Sequence, residues 1–381
     1  MIFYASLIVL PVALWLWWPL LQRERRTAFW LAFVVTVVLG ALPAALIWAM
    51  RNTTLSYSVI AHLQVATGWI LSALLLAFVL TLLRDVVGLL GVFTPRSRQA
   101  FTGLSVVLAL LVAGFGVTQA LTIPQVREQE IAIANLPAEF DGLRIAVIAD
   151  IHASPINDSH YVQGIVNRTQ AANPDLIVLP GDMIDGDVKT EAKNIAPLSQ
   201  LKAKYGVFSA PGNHEYYSGY DAWAQVYRAL HLNYLENQTQ RVKIKGRTLA
   251  VSGIGDPAYG RLSQQNADPR VPEGLPPDIE SVAKQAKGAD FHLLLAHQPK
   301  LARDNAAQGV GLQISGHTHG GHILGMDRWL VAPVNNGFVR GAYDVDRMKL
   351  FVSSGAGLWA GFAVRLGVPS AIDLLVLRRV K

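Results

Sequence analysis

The stretch Gly316-His317-Thr318-His319-Gly320-Gly321 sets two imidazoles two positions apart. Three further blocks offer the same kinds of donor: Asp150-Ile151-His152, Gly181-Asp182-Met183-Ile184-Asp185 and Gly212-Asn213-His214-Glu215. In an extended backbone residues i and i+2 point to one side, so Asp150 with His152, and His317 with His319, can each aim two donors into one cleft. Carboxylate, imidazole and amide oxygen suit hard to borderline divalent cations such as Mn, Fe, Zn or Mg. The 381 residues include no cysteine, which excludes thiolate metal sites and disulfides.

Short apolar runs that read as buried strands must hold these blocks in place. They fall at residues 143–149, 175–180, 206–210, 291–296 and 311–315, each ending in a polar loop. Helical segments are expected between several of them, around 159–172, 189–204, 220–230 and 278–287, which is the alternation of an α/β layered domain. The donors lie just after the last apolar residue of a strand, where open α/β sheets place their sites. Residues 130–134 alternate as a strand leading into this region. Residues 256–277, rich in Pro, Gly, Asp and Gln, read as a long surface loop that could overhang the cleft.

Apolar residues make up 51% of the chain and charged residues 16%, too oily a balance for a purely soluble protein. The excess lies in the first 121 residues, in stretches at 2–21, 28–50, 59–83 and 101–121. Each is near the roughly 20 residues that cross a bilayer as a helix, so four transmembrane helices are expected. A cleaved signal peptide is the alternative for the first stretch. It has no basic residue ahead of it, however, and Arg23, Arg25 and Arg26 follow it, the reverse of the usual order. Trp15, Trp17 and Trp18 fit an interfacial aromatic belt, with a helix packing face as the alternative. Basic residues gather in the first loop and in the third (Arg84, Arg96, Arg98), with Arg51 alone in the second. The positive-inside rule then puts the C-terminal domain on the outer side. Ionisable residues are almost absent inside the helices, with Arg84 and Asp85 at a helix end, so the helices read as an anchor. The net charge is +6, but no run of Lys and Arg is interleaved with aromatics, and no nucleic-acid binding is expected.

In this order and spacing the blocks resemble the calcineurin-like metallophosphoesterase superfamily. Its pattern runs Asp-x-His, Gly-Asp-x-x-Asp, Gly-Asn-His-Glu, a lone His and Gly-His-x-His, and the match covers about residues 140–381. The chain looks most similar to a bacterial membrane-associated branch that includes the YkuE-like phosphoesterases and the UDP-diacylglucosamine pyrophosphatases of the LpxG type. The tail, Ser353-Ser354-Gly355-Ala356-Gly357 and Val364-Arg365-Leu366-Gly367-Val368-Pro369, resembles that branch too. The fold so implied is an all-α transmembrane anchor of four helices (residues 1–121), a connector (122–142) and an α/β metallophosphoesterase domain (143–381). That domain would be a two-sheet α/β sandwich with flanking helices.

The resemblance further implies two divalent metal ions, Mn, Fe, Zn or Mg. Asp150, His152, Asp182 and His319 would hold one, and Asp182, Asn213, His297 and His317 the second, with Asp182 shared. A hydroxide between the metals would be the nucleophile and His214 the general acid. Asp185 could orient His214 or a metal ligand, or merely cap a turn or helix, and Glu215 is similar. His322 could touch substrate phosphate or lie in a wet loop; His292 reads as a satisfied core histidine. Asp158 and His160 sit in a loop that could rim the cleft. Arg365 is chemically suited to clamp a substrate phosphate, with a plain surface arginine as the alternative.

The function expected is that of an integral membrane metal-dependent phosphoesterase acting on phosphodiester, pyrophosphate or phosphomonoester bonds. Its partners would be the lipid bilayer and a phosphorylated lipid or cell-envelope substrate. It would sit in a bacterial inner membrane, multi-pass, with the catalytic domain on the periplasmic side. The alternatives are a broad-specificity phosphodiesterase with a simple membrane anchor, and a noncatalytic membrane scaffold that retains the metal site.

Overall fold

Long, predominantly apolar runs wind the N-terminal part of the chain into helices. The computed structural model describes residues 2–21, 23–52, 55–260, 273–359 and 362–380. It divides into one unit of Met1–Leu121 with Gly361–Leu366, and another of Thr122–Ala360 with Gly367–Lys381.

The first unit holds α1 (Ile2–Trp17), α2 (Arg26–Asn52), α3 (Tyr57–Gly88) and α4 (Pro95–Leu121). Among the described residues α2, α3 and α4 provide the three helices long and apolar enough to cross a membrane. The first expected span, residues 2–21, is shorter. Its helix stops after 16 residues and passes into a 3-10 turn, Trp18–Leu20, because Pro19 lacks the N–H that another α-turn needs. The buried residues of α4 include Thr102, Ser105, Ala109, Ala113, Gly116 and Ala120, three or four positions apart. Those of α3 include Ala73, Ala77 and Thr81. Small residues at this spacing let helix backbones approach closely where water supplies no driving force.

Arg84 lies near the end of α3 as expected, but as a buried ionisable residue. It lies one turn inside α3, fully buried, paired with Asp85 at 2.6 Å and donating to Thr102 Oγ1 at 2.6 Å. Arg365 is corrected, since it is buried rather than a surface arginine and its backbone N–H donates to the Gly116 carbonyl at 2.9 Å.

In the second unit the elements run β1 (Gln125–Ile133), β2 (Arg144–Val147), α5 (Ser159–Ala171), β3 (Leu176–Pro180), α6 (Val188–Ile195), β4 (Val207–Ala210), α7 (Asn213–Tyr217) and α8 (Tyr220–Ala229). They continue with β5 (Gln238–Ile244), β6 (Arg247–Gly253), α9 (Ile279–Ala286), β7 (Phe291–Leu295), α10 (Ala302–Ala307), β8 (Leu312–Ser315), β9 (Gly341–Val345), β10 (Met348–Val352) and β11 (Ala371–Arg379). Asp158 caps α5 by accepting from the N–H groups of His160 and Tyr161, which gives it a local structural role. The helix expected over 189–204 ends at Ile195, and Pro197 then sits in a 3-10 turn. Of the expected loop 256–277, residues 261–272 lie outside the described residues.

Two sheets face each other, one of order β1-β11-β2-β3-β4 and one of order β5-β6-β7-β8-β10-β9. Residues 122–142 supply the edge strand β1, which pairs in parallel with β11 from Gln125–Ala371 to Ile133–Arg379. Alternation along the strands builds three apolar layers. Leu176 and Val178 of β3 meet Val251, Leu293, Leu295 and Ile314 between the sheets. Ile177 and Leu179 face Ile165 of α5 and Trp223 of α8. Leu294 and Leu350 cover the far face with Val282 of α9. Each such fully buried aliphatic side chain contributes about 1.5–3 kcal/mol.

Candidate metal centre

Every donor block lies where a strand of this sandwich ends. Asp150 and His152 follow β2, Asp182 and Asp185 follow β3, and Asn213 and His214 open α7 after β4. His297 follows β7, while His317 and His319 follow β8. The carboxyl ends of both sheets therefore converge on one place.

The local backbone differs from the extended form expected. Asp150 (φ 53°), His152 (φ 46°), Asp182 (φ 54°), His317 (φ 73°), His319 (φ 48°) and His322 (φ 59°) are all left-handed. Such conformations cost non-glycine residues about 1–3 kcal/mol each and persist only where packing over-determines them. His317 and His319 accordingly diverge. His317 Nδ1 lies 2.8 Å from Asn213 Oδ1, whereas His319 Nε2 lies 3.7 Å from Asp150 Oδ1. Glycine makes the approach possible: a Cβ on Gly212 would stand 2.3 Å from Asp182 Oδ1, and one on Gly316 2.4 Å from Asp150 Oδ2.

Among the described residues three groups of potential ligands result: Asp150, His152 and His319; Asp182, His297 and His317; and His152, Asp185 and His214. Asp182 Oδ2 sits between the first two, 3.6 Å from His152 Nε2 and 3.1 Å from His297 Nε2. Its Oδ1 accepts the His214 backbone N–H at 2.8 Å, and Asp150 Oδ1 accepts that of His317 at 2.8 Å. Second partners fix the imidazoles. His297 Nδ1 donates to the Pro180 carbonyl at 2.8 Å, which turns Nε2 toward the carboxylates. Asp185 Oδ1 lies 2.6 Å from both His152 Nδ1 and His214 Nδ1, so one carboxylate orients two rings at once.

Glu215 holds the loops rather than the cleft. Fully buried, it accepts the backbone N–H groups of Asp182, Met183 and Gly212 at 3.1, 2.8 and 2.7 Å and the Tyr227 hydroxyl at 3.0 Å. His322 is likewise no wet-loop residue. It is buried, stacked on Trp359 at 4.5 Å between ring centres, accepts the Trp359 N–H at 3.2 Å, and stands 5.1 Å from the His319 ring. Arg365 belongs to the helical unit and is not among these groups. His292 accords with a satisfied core histidine, its Nε2 2.8 Å from Ser252 Oγ.

Sequence reasoning missed Asp256, which is buried and accepts from Gln298 Nε2 at 2.7 Å beside His297. An Asp opening a Pro- and Gly-rich loop gives no signal for this. It also missed how the tail backs the site. The Ala356 N–H donates to the Ala149 carbonyl and the Gly357 N–H to that of Asp150, both at 2.7 Å.

Burial pushes the Asp150 carboxyl up to about 6 and that of Asp256 to about 6. Burial would raise Asp182 too, but the imidazoles of His297 and His214 outweigh it and hold Asp182 low. Burial, with His297 adding to it, lowers His317 to about 3. It would also depress His214, yet the carboxylates of Asp182 and Asp185 lift that imidazole to about 10.

The residues fit divalent cations on their own geometry. Asp150 Oδ2 is buried without a hydrogen bond, and His152 Nε2 faces His319 Nε2 at 3.0 Å. Buried acceptors turned toward one another are stabilised by a cation between them, and Asp, His and Asn donors suit divalent ions.

A two-sheet α/β sandwich that gathers such donors at its strand ends defines a metal-dependent hydrolase domain. Residues 143–321 match the model of the calcineurin-like phosphoesterase family. The chain is 31% identical to the uncharacterized metallophosphoesterase Cj0846 of Campylobacter jejuni, over 74% of this chain and 71% of that protein. It is 30% identical to a transmembrane protein with metallophosphoesterase domain of Danio rerio, over 76% of this chain and 68% of that one. The uncharacterized metallophosphoesterase YkuE of Bacillus subtilis is 27% identical over 68% of this chain and 90% of its own length. These likenesses agree with the motifs and the fold, and the chain belongs to the calcineurin-like metallophosphoesterase family, in a branch that carries N-terminal apolar helices.

Proposed function

We propose that the protein hydrolyses phosphodiester, pyrophosphate or phosphomonoester bonds of a membrane-associated substrate, a phosphorylated lipid or cell-envelope component. Two divalent cations would bind, one to Asp150, His152, Asp182 and His319, the other to Asp182, Asn213, His297 and His317. Asp182 would be shared, as the position of its Oδ2 between the two imidazoles supports. Such cations supply Lewis-acid stabilisation of phosphoryl oxygens and a water of lowered pKa. We further propose a bacterial inner membrane location, multi-pass, with this domain on the periplasmic side.

The observation that carries the reading is His214 held by Asp185 beside the ligand groups. With Nδ1 committed to that carboxylate, Nε2 is the nitrogen that can give up a proton. The flanking carboxylates keep the ring protonated at neutral pH, and cation charge bound nearby would lower its pKa. As a hydroxide, formed when water gives a proton to solvent, bonds to phosphorus and the bond to the leaving oxygen breaks, the His214 Nε2 proton passes to that oxygen and solvent then reprotonates His214. A noncatalytic scaffold gives this histidine no task.

The test is hydrolysis of a chromogenic phosphodiester and its monoester by the full chain in detergent with added Mn, beside His214→Ala. The expected result is turnover that falls about 100-fold or more in the variant while bound metal is retained. Full activity in His214→Ala would remove the assignment. Silence toward both esters with metal bound would favour the scaffold.

A further inference from the structure

Beyond the ligand loop the chain leaves the cleft and turns its apolar side outward. Leu324 is 60% exposed, Trp329 80%, Leu330 59% and Val334 71%, all within eleven residues, with exposed Arg328 among them. Single exposed apolar residues are ordinary, but four on one short segment form a patch. The segment is held in this pose from beneath. Asp327 accepts the Gly325 N–H at 2.8 Å and pairs with Arg340 at 2.8 Å, Asn335 Nδ2 donates to the Val331 carbonyl at 3.0 Å, and Val331 and Phe338 are buried. Folding has therefore fixed a site where apolar side chains meet solvent.

We propose that this patch, Leu324 to Val334, seats in the headgroup layer of a lipid bilayer. A bilayer is the occupant argued by the chain itself. Three of its helices are long and apolar enough to cross one, and only Thr122, Ile123 and Pro124 separate the end of α4 from the start of β1. Trp with Arg beside it is the pairing that populates membrane–water boundaries, the ring at headgroup depth and the guanidinium reaching lipid phosphate. Leu324 also lies two residues beyond His322, whose ring is 5.1 Å from that of His319. A seated patch therefore brings the mouth of the metal centre to the lipid surface.

Because the chain has no cysteine, Trp329→Cys carries a unique thiol for an environment-sensitive fluorophore. The labelled full chain is reconstituted in phosphatidylethanolamine–phosphatidylglycerol vesicles with or without brominated acyl chains. Asp346→Cys, on the exposed turn between β9 and β10, is the reference, and Val334→Cys is a second probe should the first variant misfold. Emission at positions 329 and 334 is expected to shift to the blue and to be quenched at least about twofold more than at 346. Equal quenching at all three positions overturns the proposal. A blue shift without lipid quenching, joined to disulfide-linked pairs of the unlabelled variants, also overturns it and assigns the patch to a second copy of the chain. Lipid quenching is read whether or not the centre turns substrate over, so failure here leaves the proposed hydrolysis standing.

Discussion

Asp185 receives two imidazoles, those of His152 and His214, on the same oxygen at 2.6 Å each. The sequence left it two roles, orienting a histidine or capping a turn, and spacing alone has no way to choose. Contact chooses: the carboxylate links a prospective ligand to the prospective proton donor. Asp185→Asn should weaken metal binding about 10–100-fold, measured by titration of the apoprotein, because ligand orientation is lost. The same change removes a charge that raises His214, so the alkaline limb of the pH–rate profile should move to lower pH. An unchanged alkaline limb with normal metal affinity would assign Asp185 to structure alone. Glu215 teaches the opposite lesson. An acid beside a histidine in a motif looks chemical, yet its four hydrogen-bond donors make it a clamp on two loops.

At the scale of elements, β2, β3, β4, β7 and β8 were legible as short apolar runs ending in polar loops and β1 by its alternation, while β5, β6, β9, β10 and β11 were not anticipated, although β11 is an apolar run buried inside its sheet. β5 and β9 lie at the sheet edge and are largely exposed, so their polar residues hide the strand period. The ligand loops show another limit. Their left-handed residues reverse the side-chain directions that an extended backbone would give, and only strand-end packing imposes that conformation. Neighbouring strands also create a pH-sensitive element. His292 of β7 contacts Ser252 of β6, and burial lowers its pKa from 6.5 to about 4. The folded state thus disfavours the proton, so this contribution is complete above about pH 6.5 and is lost as pH falls toward 4. Urea unfolding of the full chain in detergent should show about 2 kcal/mol less stability from this residue at about pH 5 than at about pH 7.5. His292→Gln should shrink the difference by that amount; an unchanged pH dependence would exclude His292 as its source.

Over the whole molecule, charge and apolar length set expectations that fusion reporters can check. If the first and third loops are cytoplasmic, an alkaline phosphatase fused after Lys381 will be active and a green fluorescent protein there dark; the reverse pattern would place the domain in the cytoplasm. Residue types and order alone pointed to the family, to the Asp and His side chains that the fold brings together and to the apolar helices, since donor chemistry depends on functional groups and helix crossing on length and hydropathy. Tertiary structure decided what depends on where backbones meet. It shortened α1 at Pro19, buried Arg84 and Arg365, separated His317 from His319, and turned Trp329 outward. Distances between residues far apart in the chain are set by packing two sheets against each other, and the alternation that builds a single strand carries no record of them.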